Sequence, residues 1–565
     1  MMALPPGVIL MVGGLLLALL PRRSTAQAVA ALILPVLSFL QFWMLPEGQL
    51  SNFTMFEVEF IPVRVDALAR VFGTIFHIAA FTAALYALHV RDGMQHVSGM
   101  VYAGSAIAAV FAGDLVTLFV WWEITAISSV FLIWATRSEE AWKCGIRYLV
   151  IQVGSGVLLL AGMMARYADT GSVAFDHIGL GGAGGGLILL AFGIKAAFPL
   201  LHNWLQDAYP KATVTGTVFL SAFTTKLAIY ALARGYAGTS LLITVGVIMT
   251  LFPIIFAVIE NDLRKVLAYS LNNQLGFMVV GVGIGTELAI NGTVAHAFCH
   301  ILYKALLFMG VGAVLHRTGT AKASELGGLY KSMPLTTVFT IIGAMSISAF
   351  PFFSGFVSKS LIQSAAISGH MTWVWVGLLF ASAGVMEHSG IKIPFFAFFA
   401  HDGGHRVKEA PLNMLLAMGI AAFFCLAIGI YPDPLYAFLP YAVDYVPYTF
   451  DHVITQLQLL LFAALAFGVL IRRGWYPAEI RSLNLDFDWV YRRWLPGLIH
   501  DLRVVGGPAW ALFTSSVLAL IKGTLQLFVI GPHGPRGAMS RTWPAGSTAM
   551  WAALILGAYL LLYLF

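Results

Sequence analysis

Stretches of about twenty apolar residues, each long enough to cross a bilayer as a helix, follow one another along almost the whole chain, parted by short polar loops. The pattern predicts helices at 5–21, 27–46, 66–90, 97–112, 115–135, 146–167, 184–205, 212–235, 239–259, 265–285, 288–316, 335–366, 371–400, 411–431, 452–471 and 547–565. Residues 474–546 break the rhythm. There SLNLDFDWVYRRWLPGLIHDLR mixes Trp, Tyr and Leu with Arg and Asp and reads as a helix lying in the membrane interface. PAWALFTSSVLALIKGTLQLFVIG reads as a further apolar helix, on or partly inside the membrane, and GPHGPRGAMSRTWPAG as a loop before the last span. A second irregularity lies in FGIKAAFPLLHNWLQDAYP, where Lys195 sits inside an apolar run and Pro199 follows it.

Composition turns this pattern into a class. The chain is 59% hydrophobic and 10% charged, against roughly 25% charged in soluble domains, so it is an integral membrane protein. Its net charge of +6 does not point to nucleic acid, because Lys and Arg fall in alternate loops, which is a topology signal. One set of loops carries Arg22, Arg23, Arg91, Arg137, Lys143, Lys211, Arg264, Lys265, Arg317, Lys331, Arg406 and Arg472. The other holds little beyond Arg64, Arg166 and Arg234 and is acidic, with Glu57, Asp176, Asp433 and Asp451. The first set is expected in the cytoplasm and the N-terminus outside. The first apolar run, followed by Arg22 and Arg23, is expected to be a retained helix rather than a cleaved signal. Cys144, Cys299 and Cys425 show no metal-type spacing; no metal, cofactor or enzymatic chemistry is expected.

Ionisable residues inside spans are expensive and mark function by default. Glu123 lies in LFVWWEITAISS, Lys195 in the second irregularity, Lys226 in LSAFTTKLAIYAL, Lys359 in FPFFSGFVSKSLI, and Glu387 and Lys392 in VMEHSGIKIPFFAFF. His296, His300 and Lys304 in HAFCHILYKALLF are four residues apart and stack on one helix face. Two imidazoles and an amine in a column suit proton transfer, since histidine titrates near neutral pH.

Two prolines keep similar company: Lys195 precedes Pro199, and Pro351 with Gly355 precedes Lys359. Breaks of this kind beside charges mark ion sites in transporters and suggest an internal repeat. The expected fold is therefore an all-α polytopic helix bundle of about 14–17 spans, with two inverted five-helix repeats, each with a broken helix. The expected organisation is N-terminal helices at 1–95, a core at 96–400 made of repeats 97–235 and 239–400, further core helices at 401–473, and an interfacial segment with the last span at 474–565.

Residues 66–400 resemble the antiporter-like membrane subunits shared by Mrp-type multisubunit cation/proton antiporters and respiratory complex I. WWEITAISS resembles the family's glutamate helix, IKAAFPLLHNWLQDAYP its lysine and Pro-Phe-His segment, ENDLRKVLAYSLNNQLGF its Asp-Leu-Lys-Arg segment, and HAFCHILYKALLF its His-His-Lys helix. MPLTTVFTIIGAMSISAFPFFSGFVSK resembles its broken helix ending in a charge, and the tail is most similar to the D-type subunits of Mrp antiporters. The resemblance implies that Glu123 and Lys195 are the Glu–Lys pair, Lys226 the central lysine and Lys359 the terminal charge. Gln206, Tyr209 and Thr213 stand where family members often have Pro, His and Pro.

The expected function is a proton-translocating subunit of an antiporter that exchanges protons for a monovalent cation, expected to be Na+, in the bacterial inner membrane, working with other membrane subunits. The expected relay is Glu123, Lys195, Lys226, His296, His300, Lys304, Lys359 and Lys392. A carboxylate beside an amine favours the charged amine, and separating the two eases proton release. The rival expectation is a proton-pumping arm of an NADH:quinone oxidoreductase or membrane-bound hydrogenase; a third is a module coupling ion flux to substrate uptake.

Overall fold

The computed structural model describes residues 4–21, 25–55, 57–480, 484–527 and 545–564. Arg22, Arg23 and most of the Gly/Pro loop before the last helix lie outside the described residues. The chain divides into two units, Met1–Asn484 and Leu485–Phe565, so residues 474–484 belong with the first unit rather than with the tail.

The first unit begins with α1 (Val8–Leu16) and α2 (Thr25–Trp43). Next comes an antiparallel hairpin of β1 (Gly48–Met55) and β2 (Val58–Val65). The hairpin is a small addition to a mostly helical bundle. Its source is the alternation in VEFIPVRV, where Ile61, Val63 and Val65 turn inward; a two-residue period is what a half-buried strand needs. Helices α3 (Ala67–Tyr86), α4 (Gly93–Val110), α5 (Leu115–Trp134) and α6 (Glu139–Thr170) follow. Next are α7 (Gly182–Lys195), α8 (Asn203–Ala208), α9 (Val214–Ala222) and α10 (Thr224–Gly235). Then come α11 (Leu241–Ile259), α12 (Leu263–Ile284), α13 (Glu287–Thr318), α14 (Pro334–Ile347) and α15 (Ser354–Ser368). α16 (Thr372–Val385) runs on through π-helical turns Met386–Ile391 and Phe395–Phe399 on either side of the short α17 (Lys392–Pro394). α18 (Leu412–Ile430), α19 (Asp433–Ala437) and α20 (Phe450–Arg473) complete the unit.

Among the described residues eleven helices are long and apolar enough to cross a membrane, and the chain is a multi-pass membrane protein. On the acidic side two of the arginines are neutralised in place: Arg64 pairs with Asp176 at 2.7 Å and Arg234 with Asp66 at 2.8 Å.

Two stretches of the first unit share one register. Asp114 and Asp262 cap α5 and α12, and each forms an isolated antiparallel bridge, Asp114 with Ala174 and Asp262 with Lys322. The shift is 148 residues (262 − 114), and it also carries α6 onto α13, both 32 residues long and both ended by a left-handed glycine, Gly171 and Gly319.

The two proline breaks are built alike. Ala197 and Leu200 flank Phe198–Pro199 with φ of 60° and 70°; Ala349 and Phe352 flank Phe350–Pro351 with φ of 58° and 71°. In both, the phenylalanine amide reaches five residues back, to the Gly193 and Met345 carbonyls. The second break is clamped by glycine: a Cβ on Gly355 would lie 1.8 Å from the Ser346 carbonyl oxygen, and one on Gly429 would lie 2.3 Å from that of Phe352. Both neighbours are backbone, so neither can swing aside. Gly355→Ala should cost about 1–3 kcal/mol, the range for overpacking a tight site. Thermal unfolding of the detergent-solubilised protein checks this, and an unchanged midpoint rules the clamp out.

The second unit is a helix from Val490 to Leu525, with a π-helical first turn and α21 (Leu495–Leu525), followed by α22 (Ala545–Leu564). Residues 490–525, drawn from the interfacial and apolar segments read separately in the sequence, thus form one helix, unbroken by Pro508. Its 36 residues give about 54 Å, well beyond the roughly 30 Å hydrocarbon core.

Candidate proton-transfer axis

α7 stops at Lys195, and the side chain reaches back to α5. Its Nζ donates to the Trp122 carbonyl at 2.6 Å and to Thr125 Oγ1 at 3.2 Å, 4.3 Å from the Trp122 ring centre. Trp122 is held in turn by Nε1 donating to Ser155 Oγ at 3.0 Å. Glu123 is the next residue on α5 but points elsewhere. Its Oε1 lies over Gly156 of α6, where a Cβ would come within 1.5 Å, and it has no hydrogen-bond partner among the described residues. The expected Glu123–Lys195 pair is therefore not a contact. The two groups occupy neighbouring faces of α5, and the ammonium takes the backbone instead.

Lys226 stands just past an interruption absent from the predicted helix 212–235. α9 and α10 part at Phe223, with φ −103° and ψ −67°. Lys226 Nζ donates to the Ser221 carbonyl at 2.6 Å, and the Tyr209 hydroxyl donates to the neighbouring Leu220 carbonyl at 2.6 Å. The Thr224 amide, cut off from its helical partner, donates to the Tyr102 hydroxyl at 3.0 Å. Two tyrosines and a lysine satisfy the backbone groups that the break frees, so no proline is needed. This settles two departures from the family pattern. Tyr209 supports the Lys226 break, and Thr213 caps α9 by accepting from the Gly216 amide at 3.0 Å. Gln206 is buried, and neither its side-chain oxygen nor its nitrogen has a hydrogen-bond partner among the described residues.

On α13 the three expected residues share a face. His296 Nδ1 lies 3.0 Å from Ser358 Oγ, and the His296 and His300 rings are 6.1 Å apart. Both His300 nitrogens and the Lys304 Nζ are buried without a hydrogen-bond partner among the described residues. Lys359, on α15, donates to the Ile347 carbonyl at 2.6 Å, the last residue of α14. Lys195, Lys226, His296, His300 and Lys304 are 0% exposed and Lys359 is 1% exposed, so all six are shut from bulk water within the first unit.

A rule joins three of these lysines. Lys226 sits at the C-terminal turn of α9, Lys359 at that of α14, and Lys392 at that of α11, where it donates to Val258 and Glu260 carbonyls at 2.6 and 2.7 Å. Unpaired carbonyls give a helix C-terminus roughly half a negative charge, which favours cations. Lys392 differs from the rest in also pairing with a carboxylate, Glu479 Oε1, at 2.8 Å. Glu479 arrives from the stretch after α20, which carries no hydrophobic period, and sequence reasoning missed it. Burial pushes its carboxyl above the usual carboxylate range, outweighing the downward pull of Lys392.

Comparison with known proteins bears on this arrangement. Residues 112–385 match the model of the NADH:quinone oxidoreductase/Mrp antiporter transmembrane family. A putative antiporter subunit mnhD2 of Staphylococcus aureus is 30% identical over 345 residues, 57% of this chain and 69% of the relative. The chain belongs to this family. Another similar protein of the NADH:quinone oxidoreductase/Mrp antiporter family is the D-type Na(+)/H(+) antiporter subunit of Alkalihalophilus pseudofirmus, 28% identical over 58% of this chain and 71% of the relative. The fold is shared with a chain of the Mrp complex from Dietzia sp., at a TM-score of 0.74 and 24% identity. That likeness covers 98% of this chain and 65% of the other, so the chain spans less than two thirds of that protein's length. The family-matched segment contains Glu123, Lys195, Lys226, the α13 face and Lys359; Lys392 and Glu479 lie beyond it.

Proposed function

We propose that the chain is a proton-conducting membrane subunit of a multisubunit monovalent cation/proton antiporter, with Na+ the cation, in a bacterial inner membrane. One observation carries the reading: four buried amines, Lys195, Lys226, Lys304 and Lys359, form no ion pair with any carboxylate among the described residues, and three of them are held by backbone carbonyls. An ammonium removed from water without a counter-charge is costly, and a set of them is worth keeping where protons must be taken up and passed on. The names of the relatives support the antiporter assignment. Protons pass from the Glu123–Lys195 region to Lys226, and the His296, His300 and Lys304 face with Lys359 continues the path, with Lys392 and its counter-charge Glu479 at the end where Glu260 also pairs with Lys265. Pro351 and Gly355 make the break beside the Ile347 carbonyl that holds Lys359, and Pro199 makes the break that follows Lys195. The shared register of the two stretches supports their being inverted five-helix repeats.

In everted vesicles holding the assembled complex, Glu123→Gln should lower cation-driven proton flux by about tenfold or more, since a charge near Lys195 is lost, and shift its pH profile. Unchanged rate and profile remove Glu123 from the relay. Purification of the native complex tests the assembly itself. Small membrane subunits alone fit the antiporter, whereas iron–sulfur subunits would move the same axis into a redox-driven pump.

A further inference from the structure

A polar chamber and an apolar slot adjoin on the outer face of α4 and α5. The chamber, about 920 Å3, opens at the level of the arginine-bearing loops and is lined, among the described residues, by Gln27, Arg91, Asp92, Gln95 and Arg137. The slot, about 370 Å3, is lined by Val97 and Val101 of α4, Ile124, Ile127 and Phe131 of α5, and Leu15 of α1. Met94 and Val97 border both, so one leads into the other.

The slot is made of carbon. The α4 side places Met94, Val97, Ser98 and Val101 along one face, and the α5 side places Ile124, Ile127, Ser128 and Phe131 at the same spacing. The two serines do not alter this, because each hydroxyl donates into its own helix, to the Met94 and Ile124 carbonyls, both at 2.6 Å.

The chamber has donors to spare. Gln95 is spent on Asp92, Thr213 and Thr215. Among the described residues, Arg91 donates only through Nη1, to the Leu88 carbonyl at 3.0 Å, and Arg137 only through Nη2, to Asp92 at 3.1 Å. A guanidinium has five N–H donors, so most remain. Two arginines face one aspartate, which leaves a positive charge uncompensated. Arg137 is also held with φ of 58°, a backbone state that costs a non-glycine residue energy and is kept where the surroundings demand it.

We propose that this composite groove binds one anionic phospholipid, its phosphate on Arg91 and Arg137 and an acyl chain in the slot. Arginine forks match phosphate oxygens, and basic pockets between membrane helices on the cytoplasmic side suit anionic headgroups. The same molecule must satisfy guanidinium at one end and hydrocarbon at the other, which a free anion or a neutral chain cannot do.

The test uses the purified complex, stripped of lipid, with native mass spectrometry and thermal unfolding. Phosphatidylglycerol should be retained and raise the unfolding midpoint, phosphatidylcholine of the same chains should do so much less, and glycerol 3-phosphate should do nothing. Arg91→Gln with Arg137→Gln should weaken phosphatidylglycerol retention by about tenfold or more, as expected for losing charge-assisted bonds. Ile127→Trp, which fills the slot and spares both arginines, should do the same. Equal retention of both phospholipids, a full effect of glycerol 3-phosphate, or retention unaffected by either variant overturns the proposal. So does quantitative cross-linking of Ile127→Cys to another subunit of the complex, which would assign the groove to a protein contact.

Discussion

Replacing Lys226 by alanine lowers cation-driven proton flux about 100-fold, the scale of losing a positioned proton-transfer group, while the complex still assembles. Lys226 is a buried amine between the two proline breaks, and its one hydrogen bond among the described residues is to the Ser221 carbonyl. Alanine leaves that carbonyl unpaired, a penalty of about 1–3 kcal/mol, so flux must be compared at equal amounts of assembled complex. Tyr209 and Tyr102 still hold the rest of the break, which keeps the geometric damage local. Flux within twofold of the unaltered complex, at matched assembly, removes Lys226 from the relay.

Glu479→Ala has the largest expected effect on stability. The Lys392 side chain is 0% exposed and that of Glu479 is 7% exposed, so removing the carboxylate leaves a buried ammonium held only by carbonyl hydrogen bonds among the described residues, with Glu260 and Glu387 acting on it at longer range. Stripping one partner from a buried pair costs about 3–5 kcal/mol. Lys392→Met combined with Glu479→Leu should recover part of the loss, because apolar replacements of buried pairs are often neutral or better. The pH dependence has a definite sign. The folded Glu479 carboxyl titrates above the usual carboxylate range. Between that raised value and the ordinary one, the folded chain holds a proton that the unfolded chain has released. This group therefore makes stability rise as pH falls through that window, and Glu479→Ala removes the slope. Thermal inactivation across mildly acidic pH measures both effects. A variant with an unchanged midpoint makes the Lys392–Glu479 contact incidental.

Spans and buried amines are legible in the chain because each is a local event: an apolar run, or a charge inside one. Both proline breaks could be read for the same reason. The Phe223 break could not, because it is stabilised from elsewhere by Tyr102 and Tyr209, residues that carry no local sign of it. The hairpin was obscured by its position between apolar runs, although VEFIPVRV alternates. Glu123 beside Lys195 followed from the family resemblance, whereas the carboxylate lies over Gly156 of α6, where no side chain stands in its way. Glu479 lies 87 residues (479 − 392) from its partner, and no spacing rule links them.

The shift of 148 residues sets Gly156 opposite Lys304, Gln152 opposite His300 and Tyr148 opposite His296. In the repeat we propose, one scaffold is used twice, but the imidazoles and the amine occur only in the second use; the first has glycine, amide and phenol. Two upside-down copies with the same chemistry would look alike from either side of the membrane and could not tell inward from outward. Unequal side chains on matched helices remove that equivalence, so the sense in which the device turns is written into α6 and α13 themselves.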